Sequence, residues 1–106
     1  MTAIVKMLEP AGVLDGVTTN ELKHKVGDLV QDGADVVLLD MQSVTFMNSS
    51  GIGALVAILK MVRAKEKQLY LCGLTDQVKM IFQLTKMDRV FKLFSDRSDF
   101  ESLFEC

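Results

Sequence analysis

One histidine, one proline and two cysteines stand in a chain of 106 residues, and each scarcity closes off a class of chemistry. A single histidine, His24, with no cysteine or second histidine beside it, argues against a metal centre. It also leaves little for a nucleophile–base pair. Two cysteines, Cys72 and Cys106, are too few for a disulfide framework. Cys72 lies in an apolar run and reads as a buried thiol, and Cys106 ends the sequence. Basic charge is not in excess: the formal net charge is -2, so the chain lacks the cationic surface that phosphate backbones require, and no direct nucleic-acid partner is expected. No apolar run approaches the length of a membrane span, and the first residues lack the basic-then-apolar pattern of an export signal. These absences describe a reducing, cytoplasmic setting.

What is present is the composition of one ordinary globular domain over residues 1–106, 49% hydrophobic and 25% charged. Ala3–Leu8 reads as a first strand, broken near Pro10, which cannot donate to a ladder. Asp15-Gly16 is a turn signal. Thr18 and Glu21 have capping-box spacing, so a helix is expected to begin there. Leu22, Val26, Leu29 and Val30 give it one apolar face, His24 falls off that face, and Gly33 stops it. Asp35–Asp40 encloses four consecutive aliphatics. A strand apolar at every position is covered on both faces, so this one is expected at the centre of a parallel sheet. Val44, Phe46 and Met47 are expected to anchor the loop that follows to the core.

A second helix is expected from about Ser50 to Arg63, with Ile52, Leu55, Val56, Leu59 and Val62 inward. Gln68–Cys72 is the next strand. Thr75 or Asp76 caps a third helix through about Thr85, with Val78, Ile81 and Phe82 inward. Val90–Phe94 is a last strand, and Asp96–Phe104 a terminal helix with Phe100, Leu103 and Phe104 on its apolar stripe. Strands alternating with helices give an α/β domain, with a sheet of about four strands, mixed or mostly parallel, and four helices.

Between central strand and second helix stand two adjacent hydroxyls, Ser49 and Ser50, on the positive end of a helix dipole. A helix cap is the plain explanation. Gly51 and Gly53 follow in the first turn, where each costs helix stability. Either something approaches the backbone closely there or the helix start packs tightly on the sheet. The surroundings contain no Gly-x-Ser-x-Gly elbow, no Walker loop and no Gly-x-Gly-x-x-Gly. Independent catalysis is therefore not expected. A serine at a helix start can instead accept a phosphoryl group, which adds about -1.5 to -2 of charge at a point the dipole tolerates.

At these residues the sequence resembles the STAS domain, named for sulphate transporters and anti-sigma factor antagonists, and within it the small free-standing bacterial antagonists. The resemblance is carried by Leu-Leu-Asp-Met-Gln-Ser-Val-Thr-Phe-Met-Asn-Ser-Ser-Gly-Ile-Gly from Leu38 to Gly53. It extends to Gly12-Val13-Leu14-Asp15 and to Phe82-Gln83-Leu84-Thr85-Lys86-Met87-Asp88. It implies that the first hydroxyl, Ser49, rather than Ser50, is phosphorylated by a partner that is both anti-sigma factor and serine kinase, a histidine-kinase-like ATPase. A separate serine phosphatase would reverse the step. Asp15, Asn48, Ser49, Ser50 and Gly51 would form the partner-binding surface.

Two positions depart from the family pattern. Asn48 stands where the family carries an acidic residue. The N-terminus has room for one strand before Gly12 where the family has two, leaving a sheet edge that could pair with another chain.

The function expected is that of an anti-sigma factor antagonist, not an enzyme, without cofactor or metal, and a monomer or weak dimer. One alternative is a STAS module serving another signalling complex or a lipid-transport assembly. Another is a weak nucleotide-binding domain built on the Gly51–Gly53 loop.

Overall fold

A computed structural model describes residues 3–104, with side chains through residue 102. The described elements run β1 (Val5–Leu8), β2 (Ala11–Leu14), α1 (Gly16–Gln31), β3 (Val36–Asp40), β4 (Ser43–Met47), α2 (Ser49–Ala64), β5 (Gln68–Cys72), α3 (Asp76–Leu84), β6 (Lys92–Phe94) and α4 (Arg97–Phe104). A short 3-10 turn, Met87–Arg89, precedes β6. This is the expected α/β architecture: a parallel four-stranded sheet in the order β1-β3-β5-β6, with four helices. Leu103 and Phe104, expected on the stripe of α4, have side chains outside the described set, as does Cys106.

The aliphatic run explains the layering. Every residue of β3 is buried, and its alternate side chains enter two different clusters. Val37 and Leu39 join Leu22, Val26, Leu55, Leu59 and Val62 under α1 and α2. Val36 and Leu38 face the other way, with Cys72 and Phe100, where α4 covers the sheet. A period-2 strand needs apolar side chains at all positions only when both of its faces are covered, and here they are. Tyr70, Phe94 and Phe100 complete the α4 side with edge-on and tilted ring contacts at centroid separations of 5.3–6.0 Å.

Two local expectations are corrected. Helix α1 does not begin at Thr18. Asp15 is its N-cap and Gly16 its first residue, so Asp15-Gly16 is a helix start rather than a free turn. Thr18 is the third helical residue and supplies the reciprocal half of the capping box, in the role expected of Glu21.

The segment after β3 is not a loop but strand β4, and it pairs in parallel with β2 as a separate two-stranded ladder. The ladder slips by one residue: Val44 stands opposite Gly12 and Phe46 opposite Val13, leaving Thr45 extra. Such a bulge breaks the alternation of faces. Val44 and Met47 are therefore buried, as expected, while Phe46, expected in the core, is 44% exposed. Gly12 sits at the bulge with a φ of +76°, a conformation that favours glycine.

The remaining expectations hold to within a residue or two. Thr75 caps α3, and Val78 and Phe82 are buried beneath it. Gly33 follows the end of α1 in the left-handed region, with a φ of +107°. His24 is exposed and Cys72 fully buried. The strand expected from Val90 begins instead at Lys92, because Val90 closes the 3-10 turn. β1 forms one edge of the sheet, and Ile4, Val5 and Met7 are exposed there.

Candidate functional site

Strands β2 and β4 lie parallel, with Leu14 opposite Met47, and each runs into a capping residue and then a helix. Asp15 caps α1 and Asn48 caps α2. Parallel pairing of the two strands thus delivers two helix N-termini to one end of the molecule, side by side. Each brings unpaired backbone N–H groups and the positive end of a dipole.

Asn48 has extended backbone, and its Oδ1 accepts the Gly51 N–H at 2.8 Å. Its own N–H donates to the Leu14 carbonyl at 3.3 Å, tying the start of α2 to the end of β2. Ser49 and Ser50 are the first two helical residues, and both are exposed. The two differ in surroundings. A Cβ on Gly16 would stand 3.5 Å from that of Ser50, so Ser50 lies towards α1.

The two glycines of this turn divide between the explanations the sequence left open. A Cβ on Gly51 would fall 2.0 Å from the Leu14 carbonyl oxygen and 3.4 Å from the Asp15 Cα, so tight packing of the helix start requires the glycine. Gly53 is exposed, and a Cβ there would meet nothing within 4 Å. Of the pair, only Gly53 leaves backbone open to an approaching molecule.

Asp15 is held by its own helix. Its Oδ1 accepts the N–H groups of Val17 at 3.0 Å and Thr18 at 2.9 Å, together with the Thr18 hydroxyl. These bonds, the Thr18 amide first, hold its carboxyl below the ordinary carboxylate value, so at neutral pH it presents a negative charge at the start of α1. All five residues expected to bind a partner, Asp15, Asn48, Ser49, Ser50 and Gly51, therefore fall at this one end, although Gly51 is buried and contributes shape rather than contact.

The sequence reading missed an apolar rim. Val13, Val17 and Phe46 are exposed by 47%, 70% and 44%. Val13 and Phe46 are ladder partners in the strands that lead to the two caps, and Val17 is the second residue of α1. The bulge at Thr45 turns Phe46 outward, and only the pairing register reveals it. The site therefore sets exposed apolar side chains beside a small polar patch, and exposed aromatic and aliphatic surface of this kind is what a partner protein can bury. Neither serine hydroxyl is hydrogen-bonded to a described residue, and among the described residues no cluster of three metal-ligating side chains occurs.

Comparison with known proteins identifies the family and the fold. The STAS domain family model matches residues 2–100, and the chain belongs to that family. A curated relative, the anti-sigma-B factor antagonist of Staphylococcus aureus, is 32% identical over 74 residues, covering 70% of this chain and 68% of its own. Among solved structures, an anti-sigma factor antagonist from Mycobacterium paratuberculosis superposes with a TM-score of 0.78 at 23% identity, covering 94% of this chain and 85% of its own. The anti-sigma factor antagonist SpoIIAA in its unphosphorylated form gives 0.74 at 15% identity, over 97% and 91%. These likenesses establish the fold. Among the described residues no helix is long and apolar enough to cross a membrane.

Proposed function

We propose that this protein is an anti-sigma factor antagonist, a binding module switched by phosphorylation of Ser49. In its unmodified form it would bind an anti-sigma factor that is also a serine kinase, and so release a sigma factor. The observation that carries the reading is the position of Ser49: exposed, first in helix α2, beside a second helix N-terminus and within an apolar rim. The relative named anti-sigma-B factor antagonist supports the same role.

The chemistry follows from desolvation. A partner closing over Val13, Val17 and Phe46 gains by burying apolar surface, and must dehydrate only a neutral hydroxyl at Ser49. After phosphoryl transfer it must dehydrate a dianion. Affinity is expected to fall by about 2 kcal/mol or more, roughly thirtyfold. The fold should hardly respond, because α2 presents its positive end to the phosphate and carries no acidic residue in its first turn. Ser49 is the expected acceptor because it is the first hydroxyl of the family motif, with Ser50 one step further into the helix and nearer α1. A separate phosphatase would reset the switch.

The test uses a cognate kinase with ATP, mass spectrometry of the peptide spanning residues 40–60, and calorimetry of both forms. Phosphate on Ser49 with weakened binding is the expected result. Equal affinities, or labelling that survives Ser49→Ala, would refute it.

A further inference from the structure

A cavity of about 450 Å³ lies between the C-terminal halves of helices α1 and α2, at the end of α2 opposite the serines. Its walls include Gly27, Val30, Met61 and Val62, and two lysines, Lys65 and Lys67, stand among its lining residues. We propose that this cavity binds a free medium-chain fatty acid, with the chain on the apolar wall and the carboxylate at the lysines.

Gly27 is the first support. A glycine inside a helix lowers its stability and is usually explained by packing. Here packing does not ask for it: a Cβ would meet only the Met61 Cε at 3.8 Å and Sδ at 3.9 Å, ordinary contact with the end of a flexible side chain. The missing side chain leaves the cavity open. Met61, half-buried opposite it, is the type of residue that adapts its shape to an apolar guest.

Charge is the second. Lys67 is neutralised by Asp35 at 2.9 Å, whereas Lys65 is exposed and makes no ion pair with a described residue. Among the described residues no carboxylate lines the cavity. The C-terminal carbonyls of both helices oppose an anion there, so the carboxylate belongs at the Lys65 ammonium and the hydrocarbon must supply most of the affinity. The walls are helical, and a helix interior bonds its N–H groups internally. That suits a hydrocarbon chain and offers an extended peptide no backbone partners. The volume lies within the range of small-molecule sites.

Laurate, kept below its micelle concentration, is titrated into the full chain while backbone amide resonances are followed by NMR. Saturable shifts at Gly27, Val30, Met61 and Val62 are expected. Lys65→Glu, a change at an exposed position, should weaken binding on the order of tenfold by reversing the charge. Gly27→Leu should abolish binding by filling the cavity, and if that variant fails to fold, the Lys65→Glu comparison decides. Shifts confined to the exposed edge at Val5 and Met7, no saturable shift up to about 1 mM laurate, or unchanged affinity in Lys65→Glu would each overturn the proposal.

Discussion

The carbonyl oxygen of Leu14 lies 2.0 Å from where a Cβ on Gly51 would stand, and the same oxygen accepts the Asn48 N–H at 3.3 Å. One backbone atom at the end of β2 thus fixes both the position of α2 and the identity of its third residue. Gly51→Ala must push two backbone segments apart, and is expected to cost about 3 kcal/mol, at the upper end of overpacking effects. Gly53→Ala, in open space two residues on, should stabilise by about 1 kcal/mol through helix propensity. Urea unfolding of the two variants provides the contrast. Equal effects would mean that the helix start is not packed as described.

Asn48 tests whether the cap needs a charge. Asn48→Asp should leave stability within about 0.5 kcal/mol, because both residues cap well, and Asn48→Ala should lose about 1 kcal/mol. A large loss on Asn48→Asp would reveal an anion already held against the α2 N-terminus. The same substitution adds a negative charge beside Ser49, so kinase kinetics on it would measure how far the partner reads that position.

Asp15 has a folded pKa below its ordinary value of 3.8, chiefly through the Thr18 amide and hydroxyl. A carboxylate depressed in this way contributes its stability fully above the unfolded value and loses it as pH falls through the lower folded value. The difference in melting temperature between wild type and Asp15→Asn should therefore be constant from neutral pH down to about 4 and shrink below it. A difference that grows on acidification would reverse the assignment.

Thr19 is fully buried, and its hydroxyl has no hydrogen-bond partner among the described residues. Thr19→Val keeps the shape and removes the unpaired group, so a gain of about 1 kcal/mol is expected in chemical denaturation. A loss of similar size would show that the hydroxyl is bonded.

Arg97, the first residue of α4, donates to Asp40, which is 2% exposed, and to Glu9 on the β1–β2 connection. Arg97→Met would leave the Asp40 carboxylate buried beside Cys72 without its cation. It should lower the unfolding midpoint more than Lys67→Met, which breaks a pair whose members are both substantially exposed. Burial, reinforced by Asp40, pushes the Cys72 thiol up to about 11. In a Cys106→Ser background, Cys72 should thus resist thiol reagents at neutral pH; Arg97→Met removes a cation that favours the thiolate, so faster labelling in that variant would have to come from α4 loosening over Cys72. Equal labelling rates would show that Arg97 does not hold α4 down.

The sequence alone determined what is local. An unbroken aliphatic run marks β3 as doubly covered, a cap residue before an apolar stripe marks the start of α2, and a glycine after a helix marks the end of α1. Each rests on the conformational preference or periodicity of a few neighbouring residues. It also placed Ser49 at a helix start. Tertiary structure decided the rest. That Ser43–Met47 is a strand depends on β2, some thirty residues earlier in the chain, and a five-residue segment has no preference strong enough to announce such a partner. The bulge that exposes Phe46, the demand for glycine at position 51, and the meeting of the Asp15 and Asn48 caps all follow from the β2–β4 register. Register is set by hydrogen bonds between segments distant in sequence, and only the folded chain brings those segments together.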